Sequence, residues 1–264
     1  MKLTMLGTGH AAVTKCYNTC FALEDNDEYF LVDGGGGYTL FAQLEKAKID
    51  FKNIHTVFVT HKHLDHLTGI FWLLRMVLSM MAAQRYEGNL VIYSHEEVID
   101  ILNDMIPRLF SKQMTQFVGR RVFLQQVADQ EKKTIIGHEV TFFDILSAKA
   151  KQFGFMIEYG QQKLTCLGDE PYHDHEKPYV QKATWLMHEA FCLYSQKDIY
   201  KPYEKHHSTV KDACQIADEL QVENLILYHT EDHNIHHRKQ LYGQEGADFK
   251  GNLYIPDDLE TIQL

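Results

Sequence analysis

The segment THKHLDH at Thr60–His66 organises the interpretation of this chain. It places three histidines and an aspartate within six residues, namely His61, His63, Asp65 and His66. The β-branched and aromatic run TVFV at Thr56–Val59 directly precedes it and predicts a buried strand. Open α/β sheets place their ligand sites in the loops that follow the carboxyl ends of such strands, so we expect chemistry in this loop.

The residue types in this loop are those that bind transition metals. Imidazole and carboxylate groups are ligands for zinc and other borderline divalent metals. Two histidines separated by one residue can converge on one ion, and the Asp and His that follow then face elsewhere. The order H-x-H-x-D-H therefore predicts two metals side by side, about 3.5–4 Å apart as in two-metal hydrolases. A solvated polar loop is the alternative, and the tight spacing argues against it.

The length and composition of the chain suit one domain over residues 1–264. A chain of 264 residues with 45% hydrophobic content can bury a sizeable core, and no Pro-rich or Ser-rich linker divides it. The formal charge of −10 opposes strong non-specific attraction to nucleic-acid phosphates, although it does not exclude a local basic patch.

Cysteine usage and hydropathy favour a cytoplasmic location. Sixteen histidines stand against five cysteines, with no CxxC pair, which indicates a reduced compartment and metal chemistry based on His. The start MKLTMLGTG reaches a glycine after six residues, which leaves no room for the apolar region of a signal peptide. The apolar stretch Ile70–Ala83 is broken by Arg75 and is too short for a bilayer, so it predicts a buried helix and no membrane segment.

Helix and strand patterns alternate in the first half of the chain. Apolar residues at helical spacing in Leu40–Lys48 precede the strand before the metal loop and predict a βαβ unit. Glu96–Ile106 predicts a helix that stops at Pro107. Further strand patterns predict a second, antiparallel sheet region that contains Val122–Val127, Glu139–Phe143, Phe153–Tyr159 and Lys163–Leu167.

Four consecutive glycines at Gly34–Gly37 allow two interpretations. A phosphate cradle of the P-loop type requires a Lys-Ser or Lys-Thr pair after the glycines, and none follows here. A tight turn after the predicted strand Tyr29–Val32 is the favoured interpretation.

The motif THKHLDH resembles the signature of the metallo-β-lactamase superfamily. The fold implied by this resemblance is an αββα sandwich, in which two mixed sheets are flanked by helices and a dinuclear metal site lies at one edge. Three further segments are similar to the ribonuclease Z branch and occur in the order of that branch, namely LGTG at Leu6–Gly9, HEA at His188–Ala190 and HST at His207–Thr209.

The resemblance implies a set of ligands for two divalent ions, with zinc expected and manganese or iron as alternatives. The implied ligands are His61, His63, Asp65, His66, Asp169 and His229. Asp169 stands in a Gly-Asp pair that resembles the one whose Asp bridges the two metals, and His229 follows the predicted strand Leu225–Tyr228. Asp33 resembles an Asp that supports the metal loop.

The resemblance also implies the catalytic groups. Asp65 resembles the residue that both binds a metal and orients the attacking water. His207 matches the histidine of the family's HST segment, which donates a proton to the leaving group, and Glu189 of HEA is available to orient it. A capping or surface role is the alternative for His207, and its neighbour His206 is the residue that could be mistaken for it.

One expected ligand is missing. Members of the superfamily supply a further His to the first metal from a loop that corresponds to Phe143–Phe155, where Gly154 matches the family's glycine, and this stretch contains no His. The nearest, His138, is expected at the other end of its strand. The first site is then expected to bind more weakly, with His61, His63 and Asp169 as its ligands. His173 and His175 are candidates to fill the gap.

The substrate expected is a phosphodiester or a small molecule of the nucleotide type. Ribonuclease Z enzymes that process transfer RNA carry an inserted clamping arm where this chain has only Gly160–Gln162, so transfer RNA is disfavoured. The predicted function is a metal-dependent hydrolase, a ribonuclease Z-like phosphodiesterase with a dinuclear zinc-type site and no such arm.

Three alternatives stay open for the function. The first is a 3′-processing endoribonuclease for transfer RNA, and the second is an ester, thioester or lactam hydrolase that uses the same metal site. The third is a metal-impaired protein that binds a nucleotide without hydrolysing it. No membrane partner is expected, and assembly as a homodimer also stays open.

Overall fold

Fourteen strands form two mixed sheets in the computed structural model, which describes residues 1–264. The strands are β1 Lys2–Gly7, β2 Cys20–Asp25, β3 Glu28–Val32, β4 Ile54–Phe58, β5 Leu90–Ser94, β6 Val122–Gln126, β7 Lys132–Ile135, β8 His138–Asp144, β9 Phe153–Tyr159, β10 Gln162–Cys166, β11 Trp185–Glu189, β12 Asn224–Tyr228, β13 Asn252–Tyr254 and β14 Thr261–Gln263. The helices are α1 Thr39–Lys46, α2 Leu64–Ala82, α3 Glu96–Leu109, α4 Lys112–Thr115, α5 Lys177–Val180, α6 Lys197–Tyr200, α7 Val210–Glu219 and α8 Arg238–Glu245.

The two sheets share one layout. The first runs β14-β1-β2-β3-β4-β5-β6 and the second runs β13-β12-β11-β10-β9-β8-β7. In the first sheet, the pairs from β3 to β6 are parallel and the others are antiparallel. In the second sheet, the pairs from β10 to β13 are parallel and the others are antiparallel. The parallel halves supply strand ends that point the same way, which is the arrangement that gathers loops into one site.

Three apolar layers hold this sandwich together. A cluster of 23 buried residues lies between the two sheets and includes Phe30 of β3 and Phe155 of β9, whose rings meet edge to face at 5.5 Å. A cluster of 25 residues lies between the first sheet and its helices, and one of 18 residues lies between the second sheet and α7. The predicted class, two mixed sheets flanked by helices in an αββα order, is therefore confirmed.

Helix α2 is the longest helix and carries the second half of the metal motif. It is long and apolar enough to cross a membrane by length and composition alone, but 56% of its most apolar window is buried. Ile70, Leu74 and Leu78 lie on its buried face, in the layer beneath the first sheet. We therefore interpret α2 as a core helix, as the sequence predicted, although it begins at Leu64 rather than at Ile70.

The structure corrects two predictions about the elements. Strand β6 belongs to the first sheet, where Val122 pairs in parallel with Leu90 of β5, and not to the second sheet region. Pro107 lies inside α3, which continues to Leu109. Proline in the last turn removes a single helical hydrogen bond, and the Phe110 N–H still donates to the Ile106 carbonyl at 3.0 Å, so the turn closes after it.

Candidate metal centre

Six side chains that follow three different strands meet at one edge of the sandwich. They are His61, His63, Asp65, His66, Asp169 and His229. The first two follow β4, the next two lie in the first turn of α2, and the last two follow β10 and β12. Residues that are more than 160 positions apart in the chain become neighbours because each follows the carboxyl end of a strand in a parallel pair.

The glycine turn after β3 fixes the start of α2. The Gly34 N–H donates to the His66 carbonyl at 2.8 Å, and the Gly69 N–H donates to the Gly35 carbonyl at 3.0 Å. A Cβ on Gly69 would lie 1.8 Å from the Gly34 carbonyl oxygen. The two backbone segments can therefore approach this closely only because residue 69 has no side chain. The glycine run thus packs against the metal motif as a tight turn.

Asp33 forms hydrogen bonds with both ends of the metal motif, at Thr60 and at His66. Its carboxylate accepts from the Thr60 N–H and Oγ1, both at 2.8 Å, and from His66 Nδ1 at 2.7 Å. Because Thr60 Oγ1 donates to Asp33, it is free to accept from His61 Nδ1, which lies 3.0 Å away. Both imidazoles then carry their proton on Nδ1 and present the Nε2 lone pair to the centre.

The first group of donors contains His61, His63 and Asp169. His61 Nε2 lies 2.8 Å from His63 Nδ1 and 3.8 Å from Asp169 Oδ2. Burial lowers the pKa of His61 well below its usual value, and it lowers the pKa of His63 as well. Neutral imidazoles with converging nitrogen atoms are the form in which histidine binds a metal.

The second group contains Asp65, His66 and His229, with Asp169 shared between the groups. His229 Nε2 lies 3.6 Å from Asp65 Oδ2 and 3.5 Å from Asp169 Oδ2. His66 Nε2 lies 3.4 Å from Asp65 Oδ2 and 4.0 Å from Asp169 Oδ2. Asp169 Oδ2 therefore faces both groups.

Unpaired buried atoms show that the pocket fits a divalent cation. His66 Nε2 and His229 Nε2 are buried and have no hydrogen-bond partner, which is costly unless another ligand satisfies them. Burial would raise the pKa of Asp65 and of Asp169, but the imidazoles around them outweigh burial and lower both values. The donor set therefore joins ionised carboxylates to free imidazole nitrogens, as zinc and related metals prefer.

His207 lies beside the second group on the loop before α7. One of its ring nitrogens is within 4.8 Å of ligand atoms of Asp169 and His229, and its Nδ1 lies 3.6 Å from Glu189 Oε2. Its ring stacks on Phe191 with centroids 4.8 Å apart and 3° between the planes. Thr209 caps α7 through a capping box with Asp212. The loop that carries His207 is therefore held by this cap as well as by the contact of His207 with Phe191. His206 is exposed and turns away through a left-handed backbone conformation, with φ of 55°.

The sequence did not indicate three other residues at the site. Gln152 accepts from the Asp169 N–H at 3.0 Å, donates to the Asp169 carboxylate, and lies 3.2 Å from His61 Nδ1. The Lys149 ammonium lies 3.8 Å from Asp169 Oδ2. His10 follows the LGTG turn, and its ring lies 4.7 Å from that of Phe191 with 59° between the planes. Burial and two neighbouring imidazoles lower the pKa of His10 to about 4. Only His10 had a sequence signal, because it directly follows the Gly-Thr-Gly turn at the end of the first strand.

The candidates for the missing ligand do not reach the centre. His173 lies 3.9 Å from Glu170 Oε2, and His175 Nε2 lies 3.2 Å from the Asp144 carbonyl. Both belong to the exposed face around the short turn at Asp174–Glu176, so neither supplies the ligand. His138 lies at the start of β8 and contacts Asp25 at 2.8 Å, at the opposite end of the strand from the site.

Known proteins that are similar to this chain in sequence or in fold include ribonuclease Z enzymes and other proteins of the metallo-β-lactamase fold. A ribonuclease Z of Azobacteroides pseudotrichonymphae genomovar. CFP2 is 25% identical over 261 residues, which covers 86% of this chain and 87% of that relative. The metallo-β-lactamase fold protein YhfI from Bacillus subtilis has a TM-score of 0.81 at 19% identity. This superposition covers 99% of this chain and 98% of YhfI. The short form of human tRNase Z, ELAC1, has a TM-score of 0.74 at 22% identity, with 100% and 99% covered.

These comparisons show that the chain has the metallo-β-lactamase fold and is similar in sequence to ribonuclease Z, as the resemblance predicted. The family model described as Anti-Pycsar protein Apyc1 matches residues 1–248, which is most of the chain. The chain belongs to the Anti-Pycsar protein Apyc1 family.

Proposed function

We propose that this protein is a metal-dependent phosphodiesterase of the ribonuclease Z-like type. The observation that carries the proposal is the position of buried, unpartnered imidazole nitrogens of His66 and His229 against two ionised carboxylates, with the His207–Glu189 pair beside them. A hydrolase of this class needs a place for its metal and a proton donor within reach of it, and both are present in one pocket.

The six converging side chains would hold divalent ions of the zinc type, which when bound would supply Lewis-acid activation of a water and of a phosphoryl oxygen. Asp65 would orient the attacking water, because its carboxylate faces the same space as His229. His207 would give a proton to the leaving oxygen. Glu189 is fully buried and faces His207 Nδ1, so it would fix the direction of that imidazole.

Small diesters suit this site better than transfer RNA. Strands β9 and β10 are joined by Gly160 and Gln161 alone, so the chain between them forms a hairpin turn and not a clamping arm. The net charge of −10 is unfavourable for a polyanion at physiological salt. We therefore propose a phosphodiester or nucleotide-type small substrate, and we expect precursor transfer RNA to be cleaved poorly.

Two substrates that differ in their leaving group test this proposal. Purified protein with Zn²⁺ or Mn²⁺ should cleave bis(p-nitrophenyl) phosphate, whose leaving group needs little protonation. The His207→Ala variant should keep much of that activity and lose about 10²–10⁴-fold on a nucleotide diester with a poor leaving group. His206→Ala is the matched control, because His206 is exposed and adjacent, and it should leave both activities unchanged.

Four results would overturn parts of the proposal. Equal losses on both substrates for His207→Ala would remove the proton-donor role. Inertness towards every diester with metal bound would favour an ester, thioester or lactam substrate on the same site. Absence of metal after supplementation would favour a nucleotide-binding protein without hydrolytic activity, and efficient maturation of precursor transfer RNA would overturn the substrate class.

The assembly proposed for the protein is a homodimer in the cytoplasm. Its support is an exposed apolar area on α2 and the adjoining turn, where Leu64, Trp72 and Tyr38 have 74%, 43% and 57% of their surface exposed. Five free cysteines, four of them buried, suit a reducing compartment. Light scattering coupled to size-exclusion chromatography should give twice the chain mass of 30.7 kDa, and Trp72→Glu should shift it to the monomer. A monomer for the unmodified protein would contradict the assembly.

A further inference from the structure

The loop that lacks the expected histidine brings a lysine to the metal centre instead. Lys149 lies between β8 and β9, in the segment where related proteins supply a ligand to the first metal. Its Nζ donates to the Asp169 carbonyl at 3.3 Å and lies 3.8 Å from Asp169 Oδ2, the oxygen that faces both groups of donors. A cation of the chain itself therefore lies against the shared carboxylate.

The surroundings of Lys149 show that this position is built into the structure. Its Nζ also lies 3.8 Å from Glu170 Oε1, and Glu170 is 1% exposed. The Ser147 hydroxyl donates to the same Glu170 oxygen, and the Lys149 N–H donates to Ser147 Oγ at 3.1 Å. The buried Glu170 carboxylate, which accepts a hydrogen bond from Ser147 of the lysine's own loop, gives the ammonium a fixed partner.

We propose that Lys149 makes the two metal positions unequal. The position at Asp65, His66 and His229 binds a divalent ion tightly, and the position at His61 and His63 binds one weakly or carries the lysine charge in its place. This inference rests on the metal-dependent function proposed above, and it concerns which of the two positions is filled.

Ligand chemistry and charge both support this inequality. An ammonium group has three N–H donors and no lone pair, so it cannot replace the imidazole that the loop lacks. Its positive charge opposes a divalent ion on the same carboxylate. The charge also acts on His63 of the first position, whose pKa is lowered by burial and by the nearby Lys149. At the second position, no lysine or arginine pairs with Asp65, and the buried nitrogens His66 Nε2 and His229 Nε2 lie within 4.0 Å of the Asp65 and Asp169 carboxylates.

Cobalt titration of metal-free protein measures the two positions without reference to activity. Visible absorption and metal analysis together should show one equivalent of Co²⁺ bound tightly and a second bound much more weakly. In Lys149→Met, the second equivalent should tighten by at least about tenfold, because the opposing charge is removed. Lys149→Arg keeps the charge and should behave as the unmodified protein does.

A neighbouring lysine provides the matched control. Lys151 pairs with Glu96 at 2.8 Å and with Asp144 at 3.6 Å, away from the metal centre, so Lys151→Met should leave both affinities unchanged. Two equally tight equivalents in the unmodified protein would refute the inference while leaving the metal-dependent function intact. Weaker cobalt binding in Lys149→Met would also refute it, because the amine would then be a ligand. No cobalt binding in any of the variants would refute the metal-dependent function itself.

Discussion

Replacement of Asp33 by Asn should weaken metal binding although Asp33 is not itself a ligand. The Asp33 carboxylate accepts the Nδ1 proton of His66 at 2.7 Å and so leaves the His66 Nε2 lone pair free for a metal. An Asn at this position presents an amide that can donate to His66 Nδ1. The imidazole would then favour the tautomer with its proton on Nε2, which cannot bind a metal.

The size of the effect follows from the role of Asp33 as a supporting group. Loss of such a partner typically costs about 10–100-fold in metal affinity, which corresponds to about 1.4–2.7 kcal/mol. In the unmodified protein the Thr60 N–H donates to Asp33 Oδ1 at 2.8 Å. The oxygen of an Asn side chain can accept the same hydrogen bond, so the loop itself should keep its shape. We therefore expect the variant to fold and to lose affinity mainly at the position that contains His66.

Competition with a chromophoric zinc chelator measures this change directly. The control is Asp25→Asn, since Asp25 contacts His138 at 2.8 Å in a similar carboxylate–imidazole pair far from the site. Asp25→Asn should leave zinc affinity unchanged, and circular dichroism should show both variants folded. A folded Asp33→Asn protein with the zinc affinity of the unmodified chain would refute the reasoning.

Two further predictions concern the shared ligand and a buried acid. Asp169→Ala should remove metal from both positions and His229→Ala mainly from the second, as measured by metal analysis, and equal losses would contradict a bridging role for Asp169. Burial raises the pKa of Glu176 to about 8 from 4.5, so the folded state keeps a proton that the unfolded chain has already released between these pH values. Stability should therefore fall as pH rises from 4.5 to 8. Glu176→Gln should raise the melting temperature at pH 8 and leave it unchanged at pH 4, and an equal shift at both pH values would refute this assignment.

The sequence was most informative where apolar strands end in polar residues. His61, Asp169 and His229 each follow a buried run, and the carboxyl ends of parallel strands share an edge, so their meeting could be predicted. The glycine turn after β3 was also predictable. No Lys-Ser or Lys-Thr pair follows the glycines, which excluded a P-loop and left a tight turn.

Contacts that depend on loop packing could not be predicted in the same way. Lys149 and Gln152 reach Asp169 only because the β8–β9 loop folds over the end of β10, and no periodicity in the sequence reports that approach. The sheet to which β6 belongs depends on its pairing with β5, and the alternation of its residues is equally compatible with either sheet. Strands β7 and β14 have four and three residues, too few to give a periodic signal.

Anomalous X-ray diffraction at the zinc edge, from crystals grown with Zn²⁺, would show directly whether these residues bind metal. We expect a strong peak among Asp65, His66, Asp169 and His229, and a weaker peak or none beside His61 and His63. Zinc bound only at surface histidines, or no anomalous peak within the pocket, would contradict the assignment of these residues to a metal centre.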